Sequence, residues 1–463
     1  MRIKNICCIG AGYVGGPSMA IIAKYCPDIQ VNVVDINPQR IAQWNDKLLS
    51  NLPIYEPGLD KIIQKCRNKN LHFSNNIKQQ IENADMIFIS VNTPTKLKGI
   101  GAGQAIDLRY VEASSREISK YAKGHTIVVE KSTLPVKTAQ TIKDILDATT
   151  KKNISDNKSF SVLSNPEFLA EGTAIKDLEN PDRVLIGGED RIAIDALVEI
   201  YSKWIDKNKV MTTDLWSSEL SKLIANAFLA QRISSINTIS ALCEATGAQI
   251  KDVALAVGMD KRIGRYFLNS GPGFGGSCFK KDISNLVYIS NHYGLFEVAN
   301  YWQKVLDINS WQQERFVELI VKKMFGTISS KTIAILGFSF KANTNDTRES
   351  PAIYISKKLI EEGAFLKIYD PKVTNQQIEL DLQVDNQKNL NKNWIFCESI
   401  YDVFEKADAA VFITEWQEFE HLDWLKISNI MIKPSWIFDT RSIVNIEKVK
   451  ESNLNIWQVG YGY

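Results

Sequence analysis

Apolar and polar positions alternate along the first two hundred residues in short blocks. The first apolar block, "ICCIGAGYVGGPSMAIIA" (6–23), is interrupted by glycines and predicts a strand, a tight turn and a helix. Further strands are predicted in "IQVNVVD", "ADMIFISVNTPT", "HTIVVEKSTLP" and "FSVLSNPEFLAEGTA", the last followed by an exposed loop and a helix. Such alternation predicts a doubly wound parallel sheet with helices on both faces. From Asp214 to Thr246 there is no glycine or proline, and apolar residues recur at helical spacing. This predicts one helix roughly 50 Å long, enough to join two lobes and offer a surface for pairing subunits. Gly247 ends it, and "IKDVALAVG" predicts a second helix. Near Lys331 a new α/β pattern begins, with strands in "KTIAILGFSFK", "FLKIYDP", "AAVFITEW" and "WIFDTRS". The polar stretch from Gln376 to Asn393 lacks periodicity and is read as loop.

Bulk properties narrow the function class. A chain of 463 residues predicts two or three domains, and 44% hydrophobic with 23% charged residues is a globular composition. The 55 basic and 53 acidic residues nearly balance and form no basic tract, which argues against nucleic acid as a partner. Glycines and Pro17 inside the first apolar block argue against a membrane span or signal peptide, so a cytoplasmic protein is expected. Seven cysteines and four scattered histidines show no paired ligand spacing, so free thiols and no metal site are expected.

"GAGYVG" supplies Gly10, Gly12 and Gly15 between strand and helix, the spacing that lets a backbone approach a pyrophosphate at a helix N-terminus. Asp35 closes the second strand, where a carboxylate binds ribose hydroxyls and repels a 2′-phosphate. NAD is therefore expected over NADP, with Arg40 a mild counter-signal or a pyrophosphate ligand. "SVNTPT" (90–95) and "EKST" (130–133) end strands and should border the cofactor, though each alone is also an ordinary turn. "NPEFLAEG" spaces Glu167 and Glu171 four apart, either two solvated glutamates or, on a helical turn, an acid–base pair on one face. Lys222 and Asn226 lie one turn apart on the long helix: a solvated lysine, or a buried one awaiting a carboxylate or a developing oxyanion.

"GPGFGGSCFKKD" (271–282) clusters four glycines before Cys278, which marks either a surface turn or a backbone in close contact with a ligand. Asp282 shares a side with Cys278 if a helix starts after Ser277. A thiolate there requires positive charge, from Lys222, Lys280 or the helix N-terminus. An alcohol dehydrogenase that stops at the aldehyde has no use for a cysteine. One that continues to the acid does: the thiol adds to the aldehyde, hydride loss gives a thioester, and water releases the acid.

Taken together, "GAGYVGGP", "SVNTPT", "EKST", "NPEFLAEGTAIKDLENPDRVLIGG", the long helix, "GFGGSCFKKD", "ILGFSFKANTNDTRESPAIYISK" and "IYDPKV" resemble the UDP-glucose/GDP-mannose dehydrogenase family, in its animal-type form, over nearly the whole chain. The resemblance implies an α/β fold of two Rossmann-like doubly wound domains joined by a long central helix and a small helical domain. Its domains would be 1–213 for NAD, 214–325 for dimerisation and 326–463 for the UDP-sugar. It implies NAD-dependent four-electron oxidation of UDP-glucose to UDP-glucuronate, or the same chemistry on UDP-N-acetylmannosamine or GDP-mannose. Cys278 would be the nucleophile, Lys222 the stabiliser of alkoxide or oxyanion, and Asp282 the support for water activation or proton transfer. Glu167 would be the base for hydrolysis, with Thr133 and Asn226 placing a water. The cofactor residues implied are Gly10, Gly12, Tyr13, Val14, Gly15, Asp35, Arg40, Val91, Asn92, Thr93, Thr133, Glu171 and Arg348. The sugar nucleotide would meet Glu167, Phe168, Leu169, Lys222, Asn226, Arg262, Phe267, Phe274, Gly275, Phe340, Lys341 and Arg441, with Arg262 reaching across from a neighbouring subunit.

Ala342, Asn343 and Thr440 depart from the family's usual residues, and the long polar tail of the animal enzymes is missing after "WQVGYGY". These departures leave open whether a homodimer assembles into a hexamer and whether UDP-xylose inhibits. Two other classes compete: a two-electron hydroxyacid-type dehydrogenase, which requires no cysteine, and an NAD-binding sensor, against which Cys278, Lys222 and Asp282 together argue.

Overall fold

The computed structural model describes residues 2–150, 158–383 and 393–462. Eight strands form the first sheet: β1 (Asn5–Ile9), β2 (Gln30–Val34), β3 (Leu71–Ser74), β4 (Met86–Ile89), β5 (His125–Glu130), β6 (Ser159–Ser164), β7 (Val184–Gly188) and β8 (Val210–Thr213). Their order is β3-β2-β1-β4-β5-β6-β7-β8. All neighbours run parallel except β6 and β7, which pair antiparallel where Leu163 faces Gly188. Alternate residues of one strand enter opposite cores: Ile6 and Cys8 of β1 join one, Cys7 and Ile9 the other. This explains the adjacent cysteines. Both faces are covered, so both must be apolar.

The second sheet holds β9 (Thr332–Leu336), β10 (Phe365–Tyr369), β11 (Trp394–Phe396), β12 (Ala409–Phe412), β13 (Trp436–Asp439) and β14 (Asn455–Gln458). Its order is β11-β10-β9-β12-β13-β14, all parallel. Ile333 and Ile335 face one core, Ala334 and Leu336 the other.

The helix Leu215–Thr246 runs for 32 residues, as its pattern predicted. Gly247, at φ 83°, stops it and donates its N–H to the Cys243 carbonyl at 3.0 Å. The chain divides into two compact units: the first runs to Ala225 and includes Ser284–Tyr293, and the second holds Asn226–Ile283 and continues from Gly294. Lys222 therefore belongs to the first unit, and Asn226, Cys278 and Asp282 to the second.

Sequence and structure differ in places. Strands β3, β7, β8, β11 and β14 carry no long apolar run and were not predicted. The loop expected from Gln376 begins as a helix, Asn375–Leu382, capped by the Thr374 side chain on the Gln377 N–H; residues 384–392 lie outside the described residues. Among the described residues no helix is long and apolar enough to cross a membrane, and no cluster of His, Cys, Asp and Glu could hold a metal.

Candidate active site

In the first unit, Gly10 ends β1 at φ 110°, where a Cβ would lie 2.2 Å from the Ser90 carbonyl oxygen. Gly15 starts the helix Gly15–Tyr25, and a Cβ there would lie 2.0 Å from the Gly10 oxygen. Gly12 differs: a Cβ on it meets nothing within 4 Å. The backbone here is bare toward open space, with half-buried Tyr13 and Val14 beside it. Asp35, buried at the end of β2, accepts from the Ala11 N–H at 3.0 Å and the Asn37 N–H at 2.9 Å. Arg40, largely exposed, lies 3.5 Å from the same carboxylate. Ser132 donates to the Val91 carbonyl and Thr93 to the Thr133 carbonyl, so the two strand-end loops are tied together, with Asn92 exposed between them. These residues fit a dinucleotide: bare glycine backbone, a helix N-terminus and a ribose carboxylate.

The loop after β6 is not helical at Glu167, so Glu167 and Glu171 do not share a helical face. Pro166 and the turn at 171–173 give them separate surroundings. Glu167 accepts from Lys131 Nζ at 2.8 Å, from Ser18 Oγ at 3.4 Å and from the Phe168 N–H at 2.9 Å. Beyond Glu171, buried Glu56 accepts from the Gly172 and Ala174 N–H groups, fixing the far end of the loop at the start of helix Ala174–Glu179. The Phe168 ring lies 3.9 Å from the Arg183 guanidinium and 5.3 Å from Lys222 Nζ, while Leu169 packs on the apolar core. Lys222 is buried, which decides against the solvated reading.

In the second unit, Gly271 through Gly276 are all buried, which rules out a surface turn. Protein, rather than ligand, crowds their α-carbons. A Cβ on Gly273 would lie 2.5 Å from Asn309 Oδ1, and one on Gly275 would lie 2.5 Å from the Glu349 carbonyl oxygen and 2.9 Å from Phe340 Cβ. The Gly276 N–H donates to the Arg348 carbonyl at 2.8 Å. The glycines thus seat this loop against residues 340–349.

Six cysteines are buried, and Cys278 alone is half-buried. Burial pushes the Cys8 thiol up to about 12 and the Cys26 thiol up to about 11, the state of packing residues. Cys278 directly precedes helix Phe279–His292, and the Asp282 N–H donates to its carbonyl at 2.8 Å, so the turn predicted after Ser277 forms. Asp282, fully buried, accepts from Asn226 Nδ2 at 2.6 Å, with Lys281 Nζ at 3.9 Å. Lys280 is exposed and pairs with Glu349 at 2.8 Å, so it is not the thiol's counter-charge. Phe279 stacks edge-on with buried Phe274 and with Phe267, which sits at φ 60°. Arg441 donates to the Ile413 and Phe340 carbonyls and lies 3.0 Å from Glu415; Lys341 Nζ lies 5.5 Å from the Phe340 ring. Arg348 pairs with Asp346, and Arg262 is 89% exposed, held only by Asp260 of its own turn.

Three family models match in succession: the NAD binding domain of the UDP-glucose/GDP-mannose dehydrogenase family at 4–205, its central domain at 216–311 and its UDP binding domain at 334–446. The chain belongs to the UDP-glucose/GDP-mannose dehydrogenase family. It is 54% identical over 452 residues to a UDP-glucose 6-dehydrogenase of Mus musculus, covering 96% of this chain and 90% of that one. UDP-glucose 6-dehydrogenase 1 of Oryza sativa is 52% identical over 472 residues, covering 98% and 97%. A solved UDP-glucose dehydrogenase from Pyrobaculum islandicum superposes with a TM-score of 0.84 at 27% identity, covering 100% and 98%. Within the family's domains, the glycine turn and Asp35 fall in the NAD-binding match, Lys222, Cys278 and Asp282 in the central one, and Phe340, Lys341 and Arg441 in the UDP-binding one.

Sequence reasoning overlooked Lys131, Ser18, Glu56 and Arg183. For Lys131 a signal existed: it directly follows the apolar strand "HTIVVE", and a lysine there must find a buried partner.

Proposed function

We propose that this dehydrogenase oxidises UDP-glucose to UDP-glucuronate, with two NAD⁺ and water consumed and two NADH and three protons formed. The observation that carries the reading is Cys278: the one thiol not buried, at the start of a helix, one turn from an Asp282 hydrogen-bonded to Asn226. Bound NAD⁺ supplies the hydride acceptor for both oxidations. Lys222 stabilises the alkoxide at O6 and later the oxyanion, a buried cation acting where charge develops. The Cys278 sulfur adds to the aldehyde carbon C6, a C–S bond forms, and the carbonyl oxygen takes a proton to give a thiohemiacetal. After the second oxidation C6 is held as a thioester. Glu167 then takes a proton from water as the water oxygen attacks C6. The C–S bond breaks, the thiolate returns, and the acid leaves. Thr133 and Asn226 place the water, and Asp282 supports proton movement.

Gly10, Gly12, Tyr13, Val14, Gly15, Asp35, Arg40, Val91, Asn92, Thr93, Glu171 and Arg348 serve the cofactor. Phe168, Leu169, Phe267, Phe274, Gly275, Phe340, Lys341 and Arg441 serve the sugar nucleotide. The exposure of Arg262 suits a residue that acts in a partner subunit of a homodimer. Domains of 1–213, 214–325 and 326–463, possible trimerisation of dimers and a cytoplasmic location complete the reading. Counting NADH per sugar nucleotide over a panel of UDP-glucose, UDP-N-acetylmannosamine and GDP-mannose tests it. Two NADH with UDP-glucose and slow turnover of the others are expected; one NADH, or a preference for another sugar, contradicts it.

A further inference from the structure

Lys131 follows β5 with its side chain 2% exposed. An ammonium so placed must be answered by several acceptors. Its Nζ lies 2.8 Å from Glu167 Oε2, 3.1 Å from Asn165 Oδ1 and 3.2 Å from the Tyr201 hydroxyl oxygen. The cage is itself oriented: the Tyr201 hydroxyl donates to Asn165 Oδ1 at 2.6 Å, and Asn165 Nδ2 donates to the Leu185 carbonyl at 2.8 Å. Glu167 is held at both oxygens, Oε2 by Lys131 and Ser18 and Oε1 by the Phe168 N–H, yet keeps 15% of its side chain exposed. Other titratable groups are few. Tyr201 faces the pair from helix Arg191–Tyr201, and Cys8 of β1 lies close enough for its thiol to feel the Lys131 charge. Glu130, the preceding residue, pairs instead with Glu219.

We propose that Lys131 is a positioning residue of the hydrolytic step, holding the Glu167 carboxylate charged and aimed to take a proton from water. The inference rests on the reading of Glu167 as the base. A mostly buried carboxylate without a counter-charge keeps its proton at neutral pH, and a protonated carboxyl cannot act as a base. Lys131 in turn keeps its own charge: burial opposes it, but Glu167 and Tyr201 outweigh burial and hold its pKa above the ordinary lysine range. Ser18 adds a link of a different kind, because it sits on the helix that follows the glycine turn. The base and the dinucleotide turn thereby share one rigid element.

The test compares the pH dependence of kcat in the parent enzyme, Lys131→Met and Lys131→Arg, with the acyl adduct on Cys278 measured by mass spectrometry after quenching. In Lys131→Met the acid limb should move up by about one pH unit or more. The adduct should accumulate below that limb and clear above it, with NAD affinity near that of the parent. Lys131→Arg should leave the limb in place. Lys131→Gln, which keeps a donor toward Asn165 and Tyr201, serves if the methionine variant does not fold. An unmoved acid limb and parental adduct levels in the uncharged variant overturn the inference, since a lysine that only supports the fold would lower Tm and leave the limb alone. Glu167→Gln separates the two claims: adduct accumulation at every pH supports the base, and its absence sinks both the base and the inference.

Discussion

At the end of β1, Gly10 turns the chain at φ 110°, and Asp35 past β2 accepts the Ala11 N–H. At the end of β9, Gly337 turns it at φ 89°, and Asp370 past β10 accepts the Phe338 and Ser339 N–H groups at 2.7 and 3.0 Å. The two lobes repeat one strand–turn–strand arrangement, and they differ in what surrounds it. Asp370 also accepts from the Ser339 hydroxyl, the Trp416 indole and the Lys372 and Val373 N–H groups. Its oxygens are fully taken by protein, leaving no acceptor for a ribose. Gly337 is closed in by Thr414, whereas Gly12 in the first lobe borders open space. The topology is shared; the free acceptors and the bare backbone are not, and function follows the latter.

Glycine substitutions should break this comparison most sharply. Gly337→Ala places a Cβ 2.3 Å from Thr414 at a positive φ, and should cost about 3 kcal/mol or more of stability. Gly12→Ala meets no protein atom within 4 Å; its stability should stay within about 1 kcal/mol, while NAD binding weakens about tenfold or more. Thermal melts and NAD titration measure both, and equal losses of stability would contradict the contrast.

The carboxylates come next. Asp370→Asn should cost about 2–3 kcal/mol in stability through its buried donors, with NAD affinity unchanged. Asp35→Asn should cost little stability and narrow the preference for NAD over NADP about tenfold, seen in kcat/KM with each cofactor. Loss of discrimination from the Asp370 variant would reverse the roles of the lobes.

In the second lobe, Lys341→Ala and Arg441→Ala should weaken UDP-glucose binding about tenfold while sparing NAD, because cations there suit an anionic pyrophosphate. Calorimetry with both ligands decides it; equal losses would erase the division of labour.

The smallest effect concerns an acid buried at a strand end in each lobe, Glu130 in β5 and Asp439 in β13. Burial, and then the Glu219 charge, push the Glu130 carboxyl well above 4.5. Below its unfolded value both states hold the proton and the group contributes nothing to the pH dependence. As pH rises above that value unfolding releases the proton, so stability falls until the folded carboxyl ionises. Glu130→Gln removes this loss, and its Tm advantage over the parent should grow with pH, on the order of a few degrees. A difference that does not change with pH would show that Glu130 is already ionised in the fold.

Much of this was legible in the residues. Long apolar strands such as "HTIVVE" and the unbroken helical run to Thr246 announced themselves, because each carries its own periodicity. Edge strands did not: "LHFS" and "WIF" are too short to show a pattern, and their stability comes from neighbours. Helix Asn375–Leu382 buries only Ile378 and Leu382, too little for an apolar stripe, though its Thr374 cap was visible. Cys278 and Asp282 were readable as a pair because their spacing is local. Lys280 was misassigned and Lys131 overlooked for one reason: Glu349 and Glu167 lie 69 and 36 residues from them, beyond what spacing reveals.

The most direct test of the account is the stoichiometry of the Cys278→Ala variant. The parent should give two NADH for each UDP-glucose consumed, and the variant should bind NAD normally but form no UDP-glucuronate. Two NADH per sugar from Cys278→Ala at a near-parental rate would contradict covalent catalysis at this cysteine.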